Sequence, residues 1–305
     1  MTERCRINRI RPILEPVPRM RPVHQSRCSF LIGSLLFQAM SPLSSAPRFQ
    51  LVFVLGHNHS GSTLLGKCLD RHPKVLCVGE MMRIGSALKN PNARFCSCGE
   101  LLTACPFWKP RLPILGRVGY NSWLIRSGTF RRILSSTDRE VLVETSKGKA
   151  WYRLRFWRKK NLGFILLVRD SRGIVCSKKR VGKTVESCIR SIHKWMKRFV
   201  RFFETSSDRV LLVYYEDLIA DLEGQMRRIA AFLNLEFVPE MLLPEEQVHH
   251  FIFSSTSKYL KGTGKMVLDE RWRRELTPGE IRQVESMMER VPVLRDKYIP
   301  KGAGV

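Results

Sequence analysis

Leu51-Val-Phe-Val-Leu-Gly-His-Asn-His-Ser-Gly-Ser-Thr-Leu-Leu65 is the stretch from which the fold is read. Leu51 to Leu55 is apolar at every position, the mark of a strand buried on both faces, as in a parallel sheet. Gly56 ends the run, and no large apolar side chain follows until Leu64. Leu64, Leu65, Cys68 and Leu69 then recur at helical spacing up to Pro73. Strand, small-residue loop and helix N-terminus together aim backbone N–H groups and the positive helix end at one spot. That spot suits a phosphate or a sulfate.

Further strands are expected at 75–78, 141–144, 164–168 and 210–214, each a short apolar run. Between and after them come helical patterns: 185–203, with Ile189, Ile192, Met196, Phe199, Val200 and Phe203 on one face, and a segment ending near Leu233. Thr277-Pro-Gly-Glu280 reads as a capping box with proline at the first helical position; Ile281, Val284, Met288 and Val291 then face inward. Alternation of this kind predicts an α/β fold of three layers, a central parallel sheet flanked by helices. Ligands of such sheets sit at the carboxyl ends of the strands. The 56–63 loop, Glu80, Lys147, Arg169 and Tyr215 all fall at such ends.

The 305 residues suit one domain with extensions, here 49–295, with 81–140 as an irregular insertion and 296–305 as a tail. Residues 1–48 are basic and rich in proline, and read as a disordered leader or as sequence upstream of a start at Met20 or Met40. Phe30 to Phe37 is apolar but shorter than the roughly 20 residues that span a bilayer, although a signal or anchor is the other reading of the leader. A net charge of +26 favours an anionic ligand, an acidic polymer, nucleic acid or anionic lipid. Nine scattered cysteines, an odd number, form no disulfide lattice and fit a reducing, cytoplasmic setting.

Gly56 to Thr63 reads G-x-x-x-x-G-S-T, with Ser62 where nucleoside-triphosphate loops carry lysine. The lysine's absence argues against an NTPase, and Glu144 is the nearest candidate for a metal-holding acid. Gly182-Lys-Thr184 follows no strand and is a decoy. Arg169, at the end of the fourth strand, and Ser177, eight residues on, offer a second anion site; the alternative is a surface pair of Arg169 with Asp170. Cys96-x-Cys98-x6-Cys105 lacks a fourth ligand for zinc and reads as a structural loop or an acceptor-site lid.

These segments resemble the sulfotransferase superfamily that uses 3′-phosphoadenosine 5′-phosphosulfate (PAPS), over most of residues 50–290. The likeness is to prokaryotic-type enzymes and, in the catalytic segments, to tyrosylprotein sulfotransferases. His59-Ser60-Gly61-Ser62-Thr63 is similar to the family's 5′-phosphosulfate loop, Arg169 and Ser177 to its 3′-phosphate pair, and Tyr215-Glu-Asp-Leu218 to an element near the adenine. The resemblance implies a P-loop-NTPase-like fold, PAPS as sulfuryl donor and no required metal. It also implies Glu80, in His72-Pro-Lys-Val-Leu-Cys-Val-Gly-Glu80, as the base, and Lys147 as a contact to the moving sulfuryl group. His59 departs from the family's usual lysine or arginine; His57 ranks behind it. Glu80 as a cap or ion-pair partner, and Lys147 as a solvated lysine, are the plainer alternatives. The expected acceptor is a hydroxyl on a sugar, peptide or small metabolite, with charge favouring an anionic carbohydrate. Lys258, Lys261 and Lys265, followed by Asp269-Glu-Arg-Trp-Arg273, form a candidate lid. The rival functions are a P-loop kinase or NTPase and a basic nucleic-acid-binding protein.

Overall fold

The computed structural model describes residues 49–84, 96–116, 128–147, 162–204, 209–245, 247–253 and 267–300. The leader and the Lys258–Lys265 stretch lie outside them. Five parallel strands form the sheet: β1 (Leu51–Gly56), β2 (Val75–Cys77), β3 (Val141–Glu144), β4 (Leu162–Val168) and β5 (Val210–Tyr214). Their order is β2-β3-β1-β4-β5, which puts β1 at the centre, between β3 and β4.

The period of the strand divides the core into two layers. Phe53 and Leu55 of β1 point to one side with Phe164, Leu166 and Val168 of β4. Val52 and Val54 point to the other with Ile165 and Leu167. The second side is covered by α1 (Ser62–Asp70), through Leu65 and Leu69. The insertion supplies α2 (Leu112–Gly116) and α3 (Thr129–Leu134) to the first side. Trp108, Phe130 and Ile133 are buried there, so this segment is part of the core.

α4 (Ser171–Lys179) and α5 (Val185–Glu204) also cover the first side. On α5 the inner face holds Ile192, Met196, Phe199 and Phe202; Phe202 takes the next i+3 place after Phe199, and Val200 is only half-buried. The segment expected to run as one helix to Leu233 is two, α6 (Tyr215–Ala220) and α7 (Leu222–Leu233). Asp221 breaks it, and its carboxylate caps α7 through the Gly224 N–H. α8 (Trp272–Glu275), α9 (Pro278–Glu289) and α10 (Pro292–Tyr298) complete the chain. Both halves of the capping box at Thr277 and Glu280 form. No described helix is long and apolar enough to cross a membrane.

Candidate active site

The loop between β1 and α1 lies at the centre of the sheet, where connections leave in opposite directions. His59 (φ 70°) and Gly61 (φ 91°) are both left-handed, a backbone form that strains a residue with a side chain and concentrates at functional sites. Gly61 is further required by space, because a Cβ there would stand 2.4 Å from the Tyr215 ring. Ser60 and Ser62 are buried, and neither hydroxyl has a hydrogen-bond partner. Ser171, the first residue of α4, is the same. Thr63 is half-buried beside them in sequence. Leaving a buried hydroxyl unpaired costs about 1–3 kcal/mol. Three such donors near two helix N-termini are what a bound oxyanion would satisfy, so the residues present fit a phosphosulfate.

Arg169 is buried and joins this loop to the rest of the site. One guanidinium nitrogen donates to the His59 carbonyl at 2.8 Å, and another donates to Asp269 at 3.0 Å. The group lies over the Tyr215 ring, 4.5 Å from its centroid, and against Gly173 of α4, where a Cβ would come within 3.2 Å of Nε. Ser177 is half-buried one turn beyond Gly173, on the same face of α4. The surface pair of Arg169 with Asp170 does not form. Asp170 instead caps α4 and takes Arg172 at 2.7 Å; neighbouring residues at a strand end point to opposite sides. A cavity of about 250 Å³ opens between Arg169, Gly173, Glu216, Asp269, Trp272 and Tyr298.

On the other side of the loop, Lys147 donates to Glu80 at 3.0 Å, and both side chains are mostly buried. Lys147 is left-handed (φ 58°). Glu80 also accepts from Arg83 at 3.1 Å, so the ion-pair alternative for Glu80 is realised, while a solvated Lys147 is not. The Glu80 backbone N–H donates to Ile252 at 2.7 Å. Gly79 permits this approach, since a Cβ there would lie 2.6 Å from the Ile252 oxygen. His72 holds the turn before β2, bonded to Glu236 and to the Lys74 N–H.

Both loop histidines are held neutral. Burial lowers the His57 pKa to about 4, helped by the Lys178 ammonium. Its Nε2 meets Ser191 Oγ at 3.1 Å and Lys178 at 3.5 Å. Burial also lowers His59, followed by the charges of Lys147, Lys178 and Arg169. Position 59 thus carries no permanent cation of its own but has three, Lys147, Lys178 and Arg169, around it. Glu144 is no metal-holding acid in this arrangement: its carboxylate turns back to accept from the Ser146 N–H and hydroxyl.

Sequence reading missed two residues of the candidate site and the partner of a third. Asp269, read only as part of a candidate lid, reaches Arg169 from 100 positions away; Ser171 is marked only by its unsatisfied hydroxyl, and Lys178 is seen only once α4 is set against the loop. It also missed His250, whose imidazole stands beside the three cysteine sulfurs.

Residues 161–239 match the Sulfotransferase family. The chain is 27% identical over 229 residues to protein-tyrosine sulfotransferase 2 of Gallus gallus, covering 71% of this chain and 60% of that protein. A Caenorhabditis briggsae protein described as a protein-tyrosine sulfotransferase is 26% identical over 65% of this chain and 70% of its own. Protein-tyrosine sulfotransferase 1 of Danio rerio is 26% identical over 71% and 62%. The chain thus spans only about 60–70% of these relatives' lengths. Among solved structures, the sulfotransferase domain of the curacin biosynthetic pathway matches with a TM-score of 0.54, at 18% identity, over 79% of this chain and 98% of that one. The sulfotransferase domain of the Synechococcus PCC 7002 olefin synthase matches with a TM-score of 0.51, at 17% identity, over 81% and 98%. The fold is that of the sulfotransferase domains, the P-loop NTPase and nucleic-acid readings are not favoured, and the chain is similar in sequence to the Sulfotransferase family over residues 161–239 and to the protein-tyrosine sulfotransferases over most of its length.

Proposed function

We propose that this sulfotransferase moves a sulfuryl group from PAPS to the hydroxyl of a tyrosyl peptide, by in-line displacement. The observation that carries the reading is the loop itself: two buried, unpartnered serine hydroxyls and a left-handed Gly61 at the start of α1, tied through the His59 carbonyl to Arg169. When bound, PAPS supplies the sulfuryl group and a phosphate leaving group. Ser60, Ser62 and Thr63, with the α1 N-terminus, would hold the phosphosulfate; Arg169 and Ser177 would hold the 3′-phosphate, with Tyr215 packed beside Arg169. A mouse sulfotransferase solved with PAP, the product nucleotide, matches at a TM-score of 0.50, which supports the nucleotide assignment.

The chain's own task is charge and proton handling. Glu80 takes the acceptor proton on a carboxylate oxygen. Lys147, held against that carboxylate at 3.0 Å, presents a cation to oxygen charge that develops beside it. His59, neutral through the ordinary pH range, contributes a hydrogen-bond donor and no charge. A tyrosine hydroxyl, with a pKa near 10, suits a carboxylate base better than a sugar hydroxyl does, and the net charge of +26 suits acidic residues around it. The test is incubation with PAPS and either an acidic tyrosyl peptide or a uronic-acid oligosaccharide, followed by mass spectrometry. Gain of SO3 on the tyrosyl peptide is expected. Transfer to the oligosaccharide alone would reassign the acceptor, and transfer to neither would remove the proposed reaction.

A further inference from the structure

We propose that Cys96, Cys98, Cys105 and His250 bind one structural zinc ion. Their four ligand atoms all lie within 4.8 Å of one another. Cys98 Sγ is 3.8 Å from Cys105 Sγ, and His250 Nδ1 is 3.7 Å from Cys96 Sγ and 3.3 Å from Cys105 Sγ. Zinc bonds of about 2.3 Å to sulfur and about 2.0–2.1 Å to nitrogen, in a tetrahedron, place ligand atoms about 3.5–3.8 Å apart. The 3.8 Å sulfur separation is far from the roughly 2.05 Å of a disulfide. Three thiolates and an imidazole around a single point select zinc among common divalent cations. Four protein ligands close the coordination shell, which is the form of a structural site.

The surroundings are built as a second layer for such a site. The Trp108 N–H donates to Cys105 Sγ at 3.5 Å, and its indole N–H donates to the His250 carbonyl at 2.7 Å. The Phe107 ring stacks on the imidazole, 5.5 Å between centroids and 11° from parallel. The Gly99 N–H returns to the Cys96 carbonyl at 3.0 Å with Gly99 left-handed, closing the turn that carries two of the ligands. Backbone pairing continues the join: Cys96 bridges Ile252, whose carbonyl holds the Glu80 N–H. The ion would therefore fasten the insertion to the segment that supports Glu80.

The full chain, expressed with zinc in the medium and purified under reducing conditions, is measured for bound metal by mass spectrometry, with mercurial release of the ion. One zinc per chain is expected, falling by at least tenfold in Cys105→Ser and His250→Ala. Cobalt substitution of the wild-type chain should give thiolate charge-transfer and tetrahedral d–d absorption; this readout stands even where a variant fails to fold. A zinc-free chain, cobalt without thiolate bands, variants that keep full zinc, or a Cys98–Cys105 disulfide in a non-reduced digest would each overturn the assignment.

Discussion

The loop after β1 and the Cys–His corner are both small and both turn on a left-handed glycine, yet they are written differently in the chain. The loop is contiguous: Gly56 to Thr63 carries its own turn, its unpaired hydroxyls and the start of its helix. The corner is assembled from segments about 150 residues apart, 154 between Cys96 and His250. A contiguous site shows its chemistry in its spacing. A site completed by tertiary contact shows only part of its ligand set.

Glu80 is tied to the corner through Ile252, which takes its N–H and bridges Cys96, and pairs with Lys147 at the neighbouring strand end; its replacement should have the largest effect. Glu80→Gln should cut turnover about 100- to 10,000-fold while nucleotide binding is kept. Equal loss of turnover and of binding would mean that the side chain is structural, through its pairs with Lys147 and Arg83.

The loop should also show a pH signature, carried by His57. His57 titrates near 4 in the folded chain against 6.5 when exposed, so between these values the unfolded chain binds more protons. Its contribution is present in full above pH 6.5 and is lost as pH falls toward 4. Thermal unfolding across that window should steepen with acid by about 3 kcal/mol from this group. His57→Gln should flatten the profile; an unchanged profile would place the titration elsewhere.

The two glycines separate space from strain. At Gly61 (φ 91°) a Cβ meets the Tyr215 ring, whereas at Gly99 (φ 96°) nothing lies within 4 Å. Gly61→Ala should destabilise by about 2–4 kcal/mol, from strain and overpacking, and Gly99→Ala by about 1 kcal/mol from strain alone. Chemical denaturation curves decide; equal losses would deny the close packing of the loop on Tyr215.

The fold was legible because each strand is a continuous apolar run bounded by polar residues at its carboxyl end, as at Val168-Arg169 and Val143-Glu144. The polar candidates at those ends do converge: Lys147 reaches Glu80, and Arg169 reaches the loop. The partners of the cations were not legible. Asp269 has no local pattern that points to Arg169, and His250 follows His249 with nothing in its neighbourhood to mark it as a ligand. Both are set by how distant segments pack, as is the neutrality of His59, which needs the positions of Lys147, Lys178 and Arg169.

The most direct test of the nucleotide site is calorimetric titration of the chain with 3′-phosphoadenosine 5′-phosphate, with ATP as control, on wild type and Arg169→Ala. The wild-type chain should bind the bisphosphate in preference to ATP, and the variant should bind it about thirtyfold more weakly or worse, the loss of a buried charged contact. No binding, or equal binding by the two proteins, would contradict the assignment of this sheet edge as a phosphosulfate site.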